Sequence, residues 1–299
     1  MALTGRAGIM PQKINNKTEL RDLSMELFDR QGLLDATKLS PRKLDMLMYL
    51  LKGPTLDRIY NQLTEKEGID MIEDALNFLK IHVDFDAEAL EREIPDEGPF
   101  ITVSNHPFGF LDGIILLLIV GRKRQDFRVV ANFLLSYFAP ISDLFITVNP
   151  FENYTPNGKG GPKRMGGAKK SLAQLEQGLG LGIFPAGEVS TWYKGQSGVQ
   201  DCEWSLSSMR MINKAQVPVI PVYFHGHNSR SFHMLGKLHP ALRTLRIPAE
   251  FLKKQDSTIH VGFGPRIEVG ELNHQESPEM LREFLRDKVY QQKERFLNN

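Results

Sequence analysis

Cysteine and long apolar runs are what this sequence of 299 residues has least of. Its single cysteine, Cys202, cannot form a disulfide within the chain, which favours a reducing compartment. The longest unbroken apolar run covers the seven residues from Ile114 to Val120, whereas a membrane-spanning helix needs about 20. No secretory signal peptide is expected, because no apolar stretch lies within the opening residues MALTGRAGIMPQKINNK. We therefore expect neither an internal disulfide nor a transmembrane segment.

The chain also lacks a large net charge, since 37 Lys and Arg residues oppose 36 Asp and Glu residues. A nearly neutral chain gives no reason to expect nucleic acid as a partner. With 41% hydrophobic and 24% charged residues, the composition is that of an ordinary globular protein. Basic residues do cluster locally, which indicates either a solvated face or a patch that meets anionic lipid or a phosphorylated carrier. The clustered residues are Arg122, Lys123, Arg124, Lys159, Lys163, Arg164, Lys169 and Lys170.

The first 80 residues are predicted to be helical. In SPRKLDMLMYLLKG, Ser40 is a typical N-cap, Pro41 suits the first helical position, and Gly53 is expected to stop the helix. Apolar residues also recur at helical spacing in TELRDLSMELF and in IDMIEDALNFLK. We therefore predict an N-terminal helical region over residues 1–80, which acts as a lid or a membrane-facing cap, and a second domain over residues 81–299.

The second domain is predicted to alternate strands with helices. Helical patterns lie between several apolar strand candidates, and SPEMLREFLRDKV predicts a C-terminal helix. This alternation favours an α/β fold with a mostly parallel central sheet flanked by helices. The strand candidates are IHVDF, FITVS, FRVVANF, LFITV, LGIFP, VPVIPVYF and STIHVGF.

The stretch VSNHPFGFLDG, residues 103–113, places His106 and Asp112 in a turn between two apolar segments. The preceding ITVSN is predicted as a strand and the following DGIILLLIV as a helix, and active sites of α/β folds gather at such junctions. A neutral histidine accepts a proton near pH 7, and a carboxylate on its other ring nitrogen orients it. The pair therefore predicts a general base whose nucleophile is the substrate's own hydroxyl or amine. The alternative is that Asp112 only caps the helix and His106 is a turn residue.

Two later stretches add to this prediction, and a long loop lies between them and the His106 turn. In GIFPAGEVS, residues 182–190, the backbone N–H groups of Ala186 and Gly187 are expected to face an oxyanion. In VPVIPVYFHG, residues 217–226, two prolines are expected to shape a pocket wall instead of pairing regularly. The Gly- and Pro-rich segment over residues 149–167 is a loop of a length that is usually functional or mobile.

Taken in this order, NHPFGFLD, FPAGEVS and VPVIPV resemble the motifs of the PlsC-like acyltransferases, which acylate glycerol phosphates and lysophospholipids. The resemblance covers about residues 98–270 and makes residues 81–299 an acyltransferase domain. It implies that His106 is the general base on the acceptor hydroxyl, that Asp112 supports it, and that an acyl thioester is the donor. Residues that it implies in oxyanion or acceptor binding are Asn105, Gly109, Phe184, Pro185, Ala186, Gly187, Glu188 and Ser190.

The departures from the family pattern bear on the acceptor. Five residues, not four, separate His106 from Asp112, and Ala186 and Val189 stand where the third motif has Glu and Arg. The arginine that usually follows the second-motif strand is also missing. Because a phosphate normally needs a cation in reach, the loss of both arginines weakens the case for a phosphate-bearing acceptor. The loop residues that could take over the role are Lys159, Lys163 and Arg164.

A narrower bacterial branch, whose members carry the name haemolysin, resembles this chain more fully. The series NHPFGFLDG, FITVN, FPAGEVS, VQDCEW and GHNSRSF looks like that branch, which includes enzymes that O-acylate lyso-ornithine or lyso-glycine lipids. The resemblance implies acceptor or donor contacts at further positions, for which core or surface structure is the alternative. Those positions are Asp201, Glu203, Trp204, Asn228 and Ser229.

The resemblance thus implies a cytoplasmic O-acyltransferase that lies peripherally on the inner face of the cell membrane. Its expected partners are a lyso-lipid acceptor, the membrane surface, and an acyl carrier protein or coenzyme A thioester as co-substrate, with no cofactor. One alternative is a 1-acylglycerol-3-phosphate or lysophospholipid acyltransferase. The other is a membrane-binding protein of the haemolysin kind that has no catalytic activity.

Two further features are not predicted to be functional. His225, His227, His233 and His239 do not predict a metal site, because no cysteine or matched carboxylate spacing accompanies them. Cys202 is not predicted to be a nucleophile, because no activating base lies near it in the sequence.

Overall fold

The computed structural model describes residues 27–63, 67–148, 166–193, 198–238 and 240–293. Its strands are β1 (His82–Phe85), β2 (Phe100–Ser104), β3 (Arg128–Asn132), β4 (Phe145–Val148), β5 (Gly180–Ile183), β6 (Thr191–Trp192), β7 (Val199–Gln200), β8 (Val219–Phe224) and β9 (Thr258–Phe263). A seven-stranded sheet has the order β1-β9-β8-β2-β5-β3-β4, and β6 pairs with β7 separately. Every neighbouring pair in the large sheet is parallel except β8 with β9. The predicted α/β fold with a mostly parallel sheet is confirmed.

Helices cover both faces of this sheet. They are α1 (Arg30–Thr37), α2 (Pro41–Leu50), α3 (Gly53–Tyr60), α4 (Gly68–Phe78), α5 (Ala87–Glu93), α6 (Phe110–Lys123), α7 (Gly167–Glu176), α8 (Leu206–Ala215), α9 (Arg230–Leu238), α10 (Pro240–Leu252), α11 (Val269–Asn273) and α12 (Pro278–Tyr290). Two 3-10 segments, Phe133–Tyr137 and Ala139–Leu144, lie between β3 and β4.

The core has two halves, one on each face of the sheet. Along β8, Ile220 and Val222 pack with α4 and α6 residues on one face, while Val219 and Tyr223 pack with α8 and α12 residues on the other. This alternation follows from the period of two along a strand. Because β2, β5 and β8 are buried on both faces, their sequences read as nearly continuous apolar runs.

The proline in β8 does not interrupt the sheet, so the expectation of irregular pairing was wrong. β8 pairs with β2 through Pro221, which lies opposite Val103, and pairs with β9 from Val222 onward. The carbonyl of Pro221 accepts a hydrogen bond of 2.8 Å from the N–H of Gly264. The strand therefore keeps neighbours on both sides, since a proline lacks only the donor and not the acceptor.

The N-terminal helices form in part as predicted. Ser40 and Pro41 begin α2 as expected, but Lys52 adopts the left-handed conformation (φ 60°) and Gly53 begins α3 instead of stopping α2. Most of the helix predicted over TELRDLSMELF lies outside the described residues. The core residues of α4 join the main core, whereas α1 and α2 share a small cluster of their own. The boundary at residue 80 stays a prediction.

Candidate active site

His106 and Asp112 come together at the carboxyl end of β2. Nδ1 of His106 lies 3.0 Å from Oδ2 of Asp112, although the ring N–H does not point straight at that oxygen. The side chain of Asp112 is fully buried, whereas that of His106 is 18% exposed. Since Nδ1 faces the carboxylate, Nε2 is on the opposite side of the ring and is the nitrogen that can meet a substrate.

Asp112 also caps α6, so its carboxylate contacts both His106 and the start of the helix. Its Oδ2 accepts hydrogen bonds of 2.9 Å from the N–H groups of Phe108 and Gly109. Burial raises the pKa of the Asp112 carboxyl, while His106 and the two N–H donors act in the opposite direction. The same carboxylate therefore closes the turn and supports the imidazole.

Gly109 is required by the geometry of this turn. Its φ is 87°, a region that favours glycine. A Cβ atom there would lie 3.0 Å from Cγ2 of Val189 and 3.3 Å from Cγ2 of Ile247. The contact with Ile247 also shows that α10 lies against the turn that carries His106.

The imidazole of His106 is held by the loop that follows β5. Its ring stacks on Phe184, with the ring centroids 4.3 Å apart. Its backbone carbonyl accepts a 2.8 Å hydrogen bond from the N–H of Ser190, and its backbone N–H donates to Oδ1 of Asp201 at 3.1 Å. Phe184 and Ser190 were both predicted for the site, and both contact His106.

Asp201 is a buried anchor and not a surface ligand contact. Its carboxylate is 0% exposed and accepts hydrogen bonds from the backbone N–H of His106, the hydroxyl of Ser190 and the indole N–H of Trp204. Trp204 is itself 1% exposed. The direct acceptor or donor contacts expected of Asp201 and Trp204 are therefore not available to them, because their polar groups are used on each other and on the loops.

Two buried asparagines tie the same turn to β8 and to the loop that follows β8. Asn105 exchanges two hydrogen bonds with the backbone of Phe224, at 2.9 and 2.7 Å. The amide of Asn228 donates to the carbonyl of Phe108 at 3.4 Å. Because both polar groups of the Asn105 side chain are occupied, the structure gives it a bracing role in place of the expected acceptor contact.

The turn of FPAGEVS is closed by its own backbone. The N–H of Gly187 donates to the carbonyl of Phe184 at 3.0 Å, and the carbonyl of Pro185 accepts from the N–H of Ser205 at 2.9 Å. The thiol of Cys202 donates to the carbonyl of Ala186 at 3.3 Å. In this arrangement the Gly187 N–H is not available to an oxyanion, contrary to expectation, because the turn uses it.

Glu188 forms an ion pair that no motif indicated. Its Oε2 lies 2.9 Å from Nη2 of Arg243 on α10, and its Oε1 accepts a 2.6 Å hydrogen bond from the hydroxyl of Tyr193. Burial alone would raise the pKa of Glu188, but Tyr193 and Arg243 lower it overall. Arg243 was missed because it lies far along the chain in a helix with no local catalytic pattern.

Two predicted residues, Glu203 and Ser229, have their contacts elsewhere, and two more cannot be placed. In the part of the chain that the structure describes, Glu203 pairs with Arg282 on α12, and the backbone N–H and hydroxyl of Ser229 both donate to Glu250 at 2.8 Å. Neither contact reaches His106. Lys163 and Arg164 lie outside the described residues.

The residues that the structure describes hold neither a cluster of metal ligands nor a membrane-spanning helix. Within the ranges given above, no group of three or more His, Cys, Asp or Glu side chains is arranged to hold a metal ion. None of the helices described has the length and apolarity needed to cross a membrane.

These features define an α/β protein with a His–Asp pair at the carboxyl end of a central strand. The acyltransferase family profile matches residues 54–298, so the chain belongs to the acyltransferase family. It is therefore an enzyme, as predicted, and the non-catalytic alternative loses its basis.

Similar proteins agree with this assignment. The chain is 28% identical over 256 residues to a lyso-glycine lipid O-acyltransferase of Bacteroides thetaiotaomicron, covering 82% of this chain and 89% of that protein. It is 26% identical to a protein of the same name from Phocaeicola vulgatus, covering 92% of this chain and 98% of the other. The crystal structure of the 1-acyl-sn-glycerophosphate acyltransferase PlsC from Thermotoga maritima superposes with a TM-score of 0.50 at 17% identity, covering 91% of this chain and 90% of that one. The structural likeness confirms the expected PlsC-like fold.

Proposed function

We propose that the enzyme transfers a fatty acyl group from an acyl thioester to the hydroxyl of a lyso-lipid that carries an amino-acid headgroup. Support comes from the two lyso-glycine lipid O-acyltransferases, which align over most of their own length with this chain. The observation that carries the chemistry is the 3.0 Å contact between His106 and the buried Asp112, which leaves Nε2 for the acceptor.

In the proposed reaction, Nε2 of His106 takes the proton of the acceptor hydroxyl as the hydroxyl oxygen attacks the thioester carbonyl carbon. The resulting imidazolium is stabilised by the Asp112 carboxylate. The tetrahedral intermediate then collapses, the carbon–sulfur bond breaks, and the thiolate leaves with the proton from His106. The products are an ester of the lipid and a free thiol, so the enzyme ends as it began.

The proposed donor is an acyl carrier protein or coenzyme A thioester, and no cofactor is needed for this step. The proposed location is the cytoplasmic face of the cell membrane, with the enzyme bound peripherally, because the acceptor's tail is held in lipid. The abundance of Lys and Arg in α9 and α10 supports contact with an anionic surface.

The direct test replaces His106 by alanine and measures acyl transfer to a lyso-glycine lipid in mixed micelles. Loss of a general base is expected to lower kcat by about 10²- to 10⁴-fold. The matched control is His260→Ala, because His260 also contacts an aspartate, Asp84, at 2.8 Å but lies on the exposed part of β9. If folded His106→Ala turned over like the control, His106 would not be the base.

A phosphate-bearing acceptor is the second candidate, and an acceptor panel separates the two. The family resemblance makes lysophosphatidate the alternative acceptor, and Arg243 supplies a cation that the motifs lack. We expect transfer to lyso-glycine lipid to exceed transfer to lysophosphatidate. Activity confined to phosphate-bearing acceptors would overturn the proposed headgroup and leave the acyltransferase chemistry standing.

A further inference from the structure

The third motif lacks its usual arginine, but the fold brings one to the same loop from α10. Arg243 reaches Glu188, which lies two residues before Ser190, and Ser190 donates to the backbone carbonyl of His106. Two residues span at most about 7 Å of extended chain. Ile247, one turn after Arg243, lies against Gly109 in the catalytic turn. The ion pair is therefore a close neighbour of the His106 turn.

The guanidinium of Arg243 is held in place but not fully used by Glu188. The Arg243 side chain is 10% exposed, and the hydrogen bond to Glu188 comes from Nη2. The second oxygen of Glu188 accepts from Tyr193, so the carboxylate does not take both guanidinium nitrogens in a two-pronged contact. A guanidinium presents five N–H donors in a fixed fork that fits a carboxylate. Nη2 of Arg243 is thus oriented by Glu188, while the other guanidinium N–H groups can donate to a ligand oxygen.

The surroundings of the pair favour an anion. The sequence from residue 230 to residue 254 includes α9, α10 and the next two lysines, and besides Arg243 it contains five Lys or Arg residues and only one acid, Glu250. Glu250 is itself engaged by Lys253 at 2.7 Å. In a chain whose net charge is +1, this concentration of positive charge offsets the neutralisation of Arg243 by Glu188.

We propose that Arg243, oriented by Glu188 and Tyr193, binds the headgroup carboxylate of the acceptor lipid. A glycine that is joined to a fatty chain through its amino group keeps a free carboxylate, which is the group a guanidinium recognises best. Binding it at Arg243 holds the acceptor so that its hydroxyl lies at His106. The inference rests on the proposed function and adds the residue that selects the headgroup.

The test compares two acceptors that differ only in that charge: a hydroxylated fatty amide of glycine and its methyl ester. Wild type is expected to prefer the carboxylate. Arg243→Gln is expected to lower kcat/KM for the carboxylate acceptor by about tenfold or more and to leave the ester within about twofold. Arg243→Lys, which keeps the charge but loses the fork, is expected to fall between.

The matched control is Arg266→Gln. Arg266 also pairs with a glutamate at 2.9 Å, Glu268, but it lies beside Ile267, which pairs with the first residue of β8 at the opposite end of the strand from the site. This control is expected to keep the preference for the carboxylate.

Each result has one meaning. If Arg243→Gln, or Arg243→Lys where the glutamine variant fails to fold, lowers transfer to both acceptors equally, Arg243 only ties α10 to the loop and the inference is wrong. If wild type acylates both acceptors equally, the enzyme does not recognise the carboxylate and the inference is also wrong. If wild type acylates neither, the proposed function itself fails. A preference for lysophosphatidate that Arg243→Gln removes would reassign the residue to phosphate.

Discussion

Asp201→Asn is the substitution that tests most directly how the turn that carries His106 is held. Oδ1 of Asp201 accepts from the backbone N–H of His106 and from the hydroxyl of Ser190, while Oδ2 accepts from the indole of Trp204. Asparagine has nearly the same shape but replaces one oxygen by an NH2 group. If that group faces Trp204, the indole N–H loses its acceptor. If it faces His106, the backbone N–H loses its acceptor.

The magnitude follows from this count. Either orientation leaves one buried N–H unpaired, which costs about 1–3 kcal/mol. The remaining hydrogen bonds lose the strength that an ionised acceptor gives, which adds about 1 kcal/mol. We therefore expect a loss of about 2–4 kcal/mol in the free energy of unfolding, or a fall in Tm of roughly 3–6 °C for a chain of this size. The kcat of the folded variant is expected to fall about tenfold or more, since small displacements of a base are costly.

Thermal unfolding checks the stability, and acyl transfer measured well below Tm checks the activity separately. Asp84→Asn is the matched control, because the Asp84 side chain is 56% exposed; it is expected to change stability by no more than about 0.5 kcal/mol. An Asp201→Asn protein that unfolded like the control would refute the anchoring role of this carboxylate. Normal stability with reduced transfer would instead return Asp201 to a direct ligand role.

Two smaller predictions concern the turn and the thiol. Gly109→Ala is expected to lower the free energy of unfolding by about 1–3 kcal/mol and to impair acyl transfer, because the added Cβ meets Val189. The control is Gly178→Ala, where φ is a similar 83° but the space is open, so stability should fall and activity should not. Equal losses of activity in the two variants would contradict this prediction. Burial first, and then the charge of Glu188, raise the pKa of Cys202 to about 11. Since the thiolate reacts, alkylation at neutral pH should be roughly 100-fold slower than for an ordinary cysteine and should accelerate as pH rises. Mass spectrometry would detect the opposite result, rapid modification at neutral pH.

The central strands of the large sheet were predictable because they are buried on both faces of a mostly parallel sheet. Runs such as FITVS and VPVIPVYF are apolar on both faces, and turn residues bound them, so each run coincides with a strand. The helix start at Ser40 and Pro41 was predictable for a similar local reason. The end of α2 was not predictable, since Lys52 adopts the left-handed conformation, which the neighbouring Gly53 would adopt more easily.

The supports of the site were harder to predict because they join distant parts of the chain. His106 and Asp201 are 95 residues apart, and Glu188 and Arg243 are 55 apart. Local sequence carries information about turns and periodicity but not about which buried carboxylate meets which loop. The motif resemblance found the residues that contact His106, and it assigned direct ligand roles to Asp201 and Trp204 because motifs do not distinguish a contact from its support.

Asp112 is a helix cap and, in the proposed reaction, the partner of the base, and the first role supports the second. A carboxyl buried without donors would become protonated, because burial disfavours its charged form. The N–H groups of Phe108 and Gly109 both bind Oδ2 and oppose that shift. They can do so because the five residues between His106 and Asp112 bring Asp112 to the third position of α6, where a side chain turns back to the N-cap. The cap therefore adds to the effect of His106 itself, which opposes the rise in the pKa of Asp112 more strongly, and the spacing of this turn serves the proposed chemistry through the helix start.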